Sequence, residues 1–449
     1  MRISRLELDG IGPFEQAVFE IPPPPEGTTG ELVLFEGPNG CGKTTIAQAI
    51  SGFSGSDELV QRLRDPGEAA EDLCPPLSQF VQRFRAEGEA VIRIEHGACW
   101  WRTYGFKPGR AGPWNGTPGP AFPPSPRRKW ASFAYKGHQP TPVIATKGPS
   151  EIDAPPLRGA LSFGAVEPAS AHFGQLLVNL DQEVAKAFHE AHRDGLPAER
   201  KLELERLAAS RQWMLDEIAR AISEVLGRSV TFEVPIGHHA PTVLVDREPI
   251  PLDLLGEGMR STFAWLADLL VRLHRVPWDN TARSPLEQDF WLILDEIDDS
   301  LHPALQRRIL PTLRRLFPNA RIYATTHSPF VVASVGEGYV FPIRPDKKTH
   351  LVTGETKPRE LLPGQSLSWI VEEIFDTPSM FLDEETQTNL AAHERDVKAL
   401  RTKKSIEWAP FLENRRWLMG LNDEVATIVG MREVPIQDVI RREQEARQT

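Results

Sequence analysis

The chain has 449 residues, 40% of them hydrophobic, which is enough for two or three domains and at least one sizeable core. A formal net charge of -11 excludes a surface coated in nucleic acid, because phosphate binding needs surplus Lys and Arg on the contact face; a local basic groove stays compatible with it. Three cysteines, Cys41, Cys74 and Cys99, are an odd number without metal-ligand spacing, so a reducing compartment is expected and a disulfide framework is not.

Ile3, Leu6 and Leu8 alternate with polar residues, unlike the basic stretch and apolar run of a signal peptide. With the run Leu32 to Phe35 they are read as the first strands of a sheet. Phe14, in a GPF turn after the first strand, is read as core packing in preference to a contact with a nucleobase. No apolar span approaches the ~20 residues of a membrane helix. A cytoplasmic protein with no membrane partner is therefore expected.

The second strand leads into GPNGCGKT, Gly37 to Thr44, and a helix is expected to open near Lys43, the context that a phosphate-binding loop requires. Gly37, Gly40 and Gly42 let the backbone curl, so that N–H groups of the loop Gly37, Pro38, Asn39, Gly40, Cys41, Gly42 converge on an anion, assisted by the helix start. Cys41 is a small filler. Lys43 is placed to reach the β- and γ-phosphates of ATP, the Thr44 hydroxyl to ligate Mg²⁺, and Thr45 to bond the α-phosphate region.

Ser54 to Pro156 reads as irregular, with strand-like stretches at Ala90 to Thr103 and a Pro/Gly/Trp-rich loop or insertion at Lys107 to Pro126. Leu202, Leu204, Leu207, Trp213, Ile218 and Ile222 recur at helical spacing within Gln182 to Leu226, and Val230 to Val245 reverts to the alternation of a hairpin. LLGEGMRSTFAWLADLL, Leu254 to Leu270, is a glycine turn followed by an amphipathic helix.

WLILDEIDDSLHP places Asp295 and Glu296 at the end of an apolar strand, whose carboxyl edge opens on the crevice where α/β sheets bind ligands. Asp295 is assigned to Mg²⁺, through water, and Glu296 to the proton of an attacking water. With the helix His302 to Leu316 and the strand RIYATT, this forms a strand, helix, strand unit of a parallel sheet. His327 follows that strand, within reach of a γ-phosphate, and Ser328 with Pro329 reads as a helix start. Beyond Pro363 the pattern is helical, with Pro410 and Pro435 as breakers and more apolar residues than one amphipathic face needs. There is no internal repeat.

Together these segments resemble the ABC ATPase superfamily in its RecF/SMC-like branch, with LLGEGMRS standing where that branch places its signature motif. The resemblance implies an α/β P-loop fold of ABC type with a mixed sheet core, a short helical insertion and a C-terminal helical region. It implies an ATPase domain over 1–345 (lobe I about 1–53 and 285–345, insertion and signature region about 54–284) and a partner-docking region over 346–449. It further implies that two copies pair head to tail, each signature helix, started at Gly258, closing over the γ-phosphate held by the other copy's P-loop. Lys43, Glu296 and His327 then form the catalytic set. Gly256 replaces the usual serine, so Arg260 and Ser261 become the candidates to compensate. FAYKGHQP stands at the Q-loop, which makes Gln139 a candidate ligand of Mg²⁺ or water. The short helices set the chain apart from chromosome-condensing SMC proteins. No acidic constellation of Toprim type is visible toward the C-terminus. The layout is similar to compact ATPase subunits of antiphage modules such as Septu systems and retrons, which work beside a separately encoded effector, commonly a nuclease. Two alternatives stand beside this: a RecF-like DNA-repair ATPase, with Arg127, Arg128, Lys129 and Lys136 edging a DNA groove, and a scaffold that binds ATP without hydrolysing it.

Overall fold

The computed structural model describes residues 2–24, 30–51, 90–96, 101–106, 127–139, 172–234, 241–250, 254–376, 383–402, 404–421 and 423–446, with isolated positions between 150 and 163. The Pro/Gly/Trp-rich segment 107–126, Cys74 and Cys99 lie outside the described residues. The chain divides into two compact units, Met1–Asp376 and Thr377–Thr449.

The first unit opens with a hairpin of β1 (Ile3–Asp9) and β2 (Phe14–Glu20), followed by β3 (Glu31–Glu36), which runs into the P-loop. Helix α1 opens at residue 43 and is described as far as residue 51. β4 (Ala90–His96) and β5 (Trp101–Phe106) join the hairpin, and β6 (Ala131–Lys136) precedes the helices α2 (Phe173–Ala191) and α3 (Ala198–Leu226). A small sheet of β7 (Val230–Glu233), β8 (Thr242–Val245) and β9 (Glu248–Pro249) separates them from α4 (Glu257–Arg275). β10 (Phe290–Asp295), α5 (Pro303–Leu316), β11 (Arg321–Thr326), α6 (Pro329–Ala333) and β12 (Gly338–Pro342) complete the site-bearing part. β13 (Val352–Thr356), β14 (Arg359–Leu361) and α7 (Leu367–Glu373) close the unit.

The strands form two main sheets. One runs β13-β2-β1-β4-β5 and the other β14-β12-β3-β11-β10-β6. In the second sheet every pairing is parallel except β12 with β14. Its strands alternate between two cores. Leu32, Leu34, Leu292, Leu294, Ile322 and Ala324 face the helices, whereas Val33, Phe35, Trp291, Ile293 and Tyr323 face the first sheet. A strand covered on both faces gains from apolar residues at every position, at about 25 cal/mol per Å² removed from water, which is why ELVLFE, FWLILD and RIYATT read as runs.

Four expectations are revised. β1 and β3 belong to different sheets, because β1 alternates buried with half-buried residues and suits an outer layer, while β3 is buried throughout. β2 was not anticipated. The helical stretch starts at Phe173 and is interrupted at 192–197 around Gly195 and Pro197, and Leu202, Leu207 and Trp213 are exposed although Leu204, Ile218 and Ile222 are buried. Finally, the first unit runs to Asp376, past the boundary at 345, because β13 pairs with β2 and β14 with β12. The helix expected at 302–316, the hairpin at 230–245 and the parallel pairing of β10 with β11 are present.

The second unit is helical: α8 (Glu384–Arg401), α9 (Trp408–Met419), α10 (Asp423–Glu433) and α11 (Gln437–Ala446). Its core is two small clusters, Leu390, Leu418, Val425 and Val429, and Val397, Phe411, Ile436 and Ile440. Trp417, Met419, Leu421, Met431, Val434 and Val439 are exposed.

One buried pair in the first unit gives stability a pH dependence. His274 of α4 lies 3.8 Å from the Glu217 carboxylate of α3, and neither ring nitrogen has a hydrogen-bond partner among the described residues. Burial pushes its pKa from 6.5 down to about 4. The folded value lies below the unfolded one, so between those pH values the unfolded chain takes a proton that the folded chain refuses. Stability conferred above pH 6.5 is then lost as pH falls toward 4, at up to about 1.4 kcal/mol per pH unit. Urea denaturation of wild type and His274→Leu across this window is expected to show a shallower acid loss in the variant.

Candidate functional site

The site sits at the carboxyl ends of β3, β10 and β11, where the apolar runs stop and polar residues begin. β11 lies between the other two, so the P-loop and the Asp295–Glu296 pair are one strand apart. The loop Gly37 to Thr44 curls tightly. Gly42 has φ +100°, and a Cβ there would stand 2.5 Å from the Phe14 ring, so the turn after β1 buttresses the P-loop. Phe14 is fully buried and meets Phe19 edge to face at 5.9 Å, which assigns it to the core. Cys41 is buried beneath Gly37, and burial pushes its thiol pKa up, which keeps it a neutral filler.

Lys43 is buried, its Nζ donating to the carbonyls of Gly37 at 2.7 Å and Pro38 at 3.0 Å. The ammonium is thus held over the loop by neutral acceptors. A cleft of about 700 Å³ opens here, lined by Asn39, Gly40, Gly42, Lys43, Thr44 and Thr45 on one side, by Gly12 and Pro13 at the edge, and by Glu296, Asp298, Asp299, Ser300 and His327 opposite. The loop, the carboxylates Glu296, Asp298 and Asp299 after β10, and the histidine after β11 therefore line one cleft.

Asp295, the last residue of β10 and next in sequence to the cleft-lining Glu296, has no solvent exposure. Its Oδ1 accepts from the Thr325 hydroxyl at 2.8 Å. Its Oδ2 has no partner within hydrogen-bonding distance among the described residues, although the Thr44 hydroxyl is near enough to favour the ionised form. Burial raises the pKa, the Thr325 and Thr44 hydroxyls lower it, and Glu296 raises it. A buried carboxylate oxygen lacking a donor, beside the P-loop threonine, is the donor set that a hard divalent cation takes. The residues present fit Mg²⁺.

Glu296 has φ +54°, an uncommon conformation for a residue with a side chain, and its N–H donates to Thr325 Oγ1 at 2.7 Å. The turn directs its carboxylate away from the strand axis into the cleft, 3.8 Å from His327 Nε2. The His327 N–H donates to Asp298 Oδ1 at 3.2 Å, and Ser328 caps the short helix α6 by accepting from Phe330 and Val331.

The remaining sequence candidates lie outside the cleft lining. Gln139 is buried, and its carboxamide donates to the Lys136 and Phe163 carbonyls at 3.3 and 3.2 Å. Gly256 is the exposed N-cap of α4, with open space where a side chain would be. Gly258 is buried; a Cβ there would stand 2.3 Å from the Ser300 carbonyl. Arg260 is partly buried and Ser261 wholly so. Arg127 and Lys129 are exposed, while Arg128 bridges to Trp278. Sequence reasoning missed Thr325, which ties Asp295 to Glu296, and Asp298, which holds the His327 backbone. The signals were present as the second-last threonine of RIYATT and the DD after DEI.

The structure is an α/β fold whose P-loop opens a mixed sheet core, with a helical insertion and C-terminal helices, and two of its segments match AAA domains. Residues 168–333 match the family described as "AAA domain, putative AbiEii toxin, Type IV TA system", and residues 5–68 match one described as "AAA domain". The chain is similar to the "Retron Ec83 probable ATPase" of Escherichia coli, 28% identical over 136 residues that cover 30% of this chain and 23% of that protein. It is also similar to the "Retron Vc95 probable ATPase" of Vibrio cholerae serotype O1 biovar El Tor, 33% identical over 98 residues, 22% of this chain and 19% of that one. Each alignment thus spans less than a quarter of the curated relative. Among solved structures, the chain resembles the Smc head domain with an extended coiled coil from Pyrococcus furiosus, at 13% identity and TM-score 0.36, over 83% of this chain and 99% of that one. So loose a likeness assigns no residue.

The two glycines at the start of α4, Gly256 and Gly258, are expected to respond differently to substitution. Gly258→Ala forces its Cβ into the Ser300 backbone and should cost about 1–3 kcal/mol of stability, the range for overpacking. Gly256→Asp meets open space at φ -56° and ψ 146°, suited to an N-cap, and should leave stability unchanged or slightly raised. Urea unfolding of both variants checks the contrast.

Proposed function

We propose that this chain binds ATP with Mg²⁺ and hydrolyses it between two head-to-tail copies in the cytoplasm. Its nucleotide state then controls a separately encoded effector, a nuclease, in antiphage defence. The observation that carries the hydrolytic part is the convergence of Lys43, Thr44, Glu296 and His327 on one cleft above the unpartnered Asp295 Oδ2.

In this reading the P-loop N–H groups and Lys43 bind the phosphates, Lys43 exchanging its carbonyl acceptors for phosphate oxygens. Thr44 and Asp295 hold Mg²⁺, and Thr45 contacts the α-phosphate region. The metal, when bound, neutralises charge on the phosphate oxygens. Glu296 orients the attacking water or accepts its proton, and His327 touches the γ-phosphate side of the cleft. Gln139 serves as a water or Mg²⁺ ligand only if its carboxamide leaves the Lys136 and Phe163 carbonyls.

Pairing is supported by the start of α4. Gly256 caps it without a side chain and stands exposed, so the first N–H groups are available to an anion from another copy. Similarity to retron ATPases supports the defence role and the separate effector. The exposed apolar residues of the second unit support docking of that effector there.

Two experiments test these parts. Lys43→Ala is expected to abolish ATP binding, whereas Glu296→Gln is expected to keep binding and lose about 10²–10³-fold in kcat, the cost of removing a comparable transition-state group. Turnover of Glu296→Gln at the wild-type rate with saturating ATP would remove that residue from the mechanism. ATP should drive association of Glu296→Gln in sedimentation, and adding Gly256→Asp should suppress it without weakening nucleotide binding. For the effector, a chain ending at Asp376 should still bind ATP but lose the partners that the full chain copurifies with from its gene neighbourhood. Retention of every partner by the shortened chain places docking elsewhere.

A further inference from the structure

Ser261 stands in the second turn of α4, wholly buried, and its hydroxyl is used twice. It accepts the Gln139 N–H at 2.5 Å and donates to the Gly137 carbonyl, so it closes the turn 137–139 from both ends. A hydroxyl has one proton to give, and here it is given inside the chain. That arrangement leaves Ser261 no part in contacting a phosphate held by another copy.

The turn that Ser261 holds lies against the residues after β10. The Gly137 N–H donates to the Asp295 carbonyl at 2.7 Å. A Cβ on Gly137 would stand 1.9 Å from the Glu296 carbonyl, so the two backbones touch and only glycine fits between them. On its other side Glu296 is held by Thr325, which bonds both the Glu296 N–H and Asp295 Oδ1. Glu296 is therefore clamped between Thr325 and the 137–139 turn, in a left-handed conformation that is uncommon for a residue with a side chain.

Helix α4 is itself fixed to β6 farther along. The Tyr135 hydroxyl donates to Asp268 Oδ2 at 2.7 Å and Arg272 Nε donates to the same oxygen at 2.5 Å, all buried. Breaking a buried charged cluster of this kind is costly, so β6 and α4 cannot slide past one another. The exposed pair His138 with Glu257, at 3.4 Å, adds little. Ser261 is thus the contact through which the first turns of α4 set the 137–139 backbone and, through it, the carbonyl side of Glu296.

We propose that Ser261 is a positioning residue for Glu296, acting through Gly137 and coupling the start of the signature helix to the hydrolytic carboxylate of the same copy. This rests on the assignment of Glu296 made above.

The test compares wild type, Ser261→Ala and Ser261→Thr, with Ser261→Cys in place of the alanine variant if that one does not fold. In steady-state turnover, Ser261→Ala should lose tenfold or more in kcat with KM for ATP changed less than twofold, and Ser261→Thr should recover most of the loss. Amide hydrogen exchange of the nucleotide-free proteins should show protection at 137–139 and 295–297 reduced in Ser261→Ala and kept in Ser261→Thr. Unchanged protection in Ser261→Ala overturns the proposal whatever the turnover, and so does lost protection with wild-type kcat. If wild type itself does not hydrolyse ATP, the assignment of Glu296 fails, and exchange alone decides whether Ser261 holds the turn.

Discussion

The parallel core of the second sheet is buried on both faces, and the rest of the site follows from that burial. Along β3, β10 and β11 a buried charged side chain is tolerated only where it finds a partner, as Glu31 does in Arg2 and Glu36 in Arg344, so the groups that reach the cleft lie just beyond the carboxyl ends of these strands. The P-loop, Glu296 and His327 each follow directly on such a strand, and Asp295 ends one. Because the strands are parallel and in register, these ends come out on one side of the sheet and open on a common cleft.

Burial also shapes the electrostatics. Asp295 is kept at zero exposure with one oxygen satisfied and the other open, an arrangement that favours its neutral form until a cation is supplied. Glu36, at the end of β3, has the same problem and a local solution: burial raises its pKa, and Arg344 opposes this with an ion pair at 2.8 Å. The contrast is between a buried carboxylate neutralised by a guanidinium and one with an oxygen that has no hydrogen-bond partner among the described residues. The first has its cation built into the chain.

The parts of the site legible in the sequence are those whose geometry depends on adjacent residues. GPNGCGKT needs only its own turn and the helix that follows, and DE at the end of WLIL needs only the strand, so spacing is sufficient. What escaped reading depends on residues brought together by the fold. Thr325 is thirty positions from Asp295 and meets it only because β10 and β11 are neighbours. Gly258 looked like an anion contact, and the structure gives a separate reason for glycine, the Ser300 backbone against it. The layering of β1 and β3 into different sheets was likewise hidden, since alternation in a seven-residue strand specifies one open face and not its partner.

The start of α4 shows how a glycine N-cap sets the hydrogen-bonding groups on offer. Glycine at an N-cap costs only a few tenths of a kcal/mol relative to serine, so Gly256 does little to the helix as a helix. What it changes is the set of hydrogen-bonding groups: a serine presents a hydroxyl, whereas Gly256 presents only backbone, and no side chain caps the first turn. Ser261 does not restore the missing hydroxyl, because its own is spent on Gly137 and Gln139 inside the chain. An anion approaching this helix therefore meets N–H groups and the positive end of the dipole alone, a contact set by charge and backbone direction. Such a contact depends on where the helix start is held, and Ser261, Tyr135, Asp268 and Arg272 hold it.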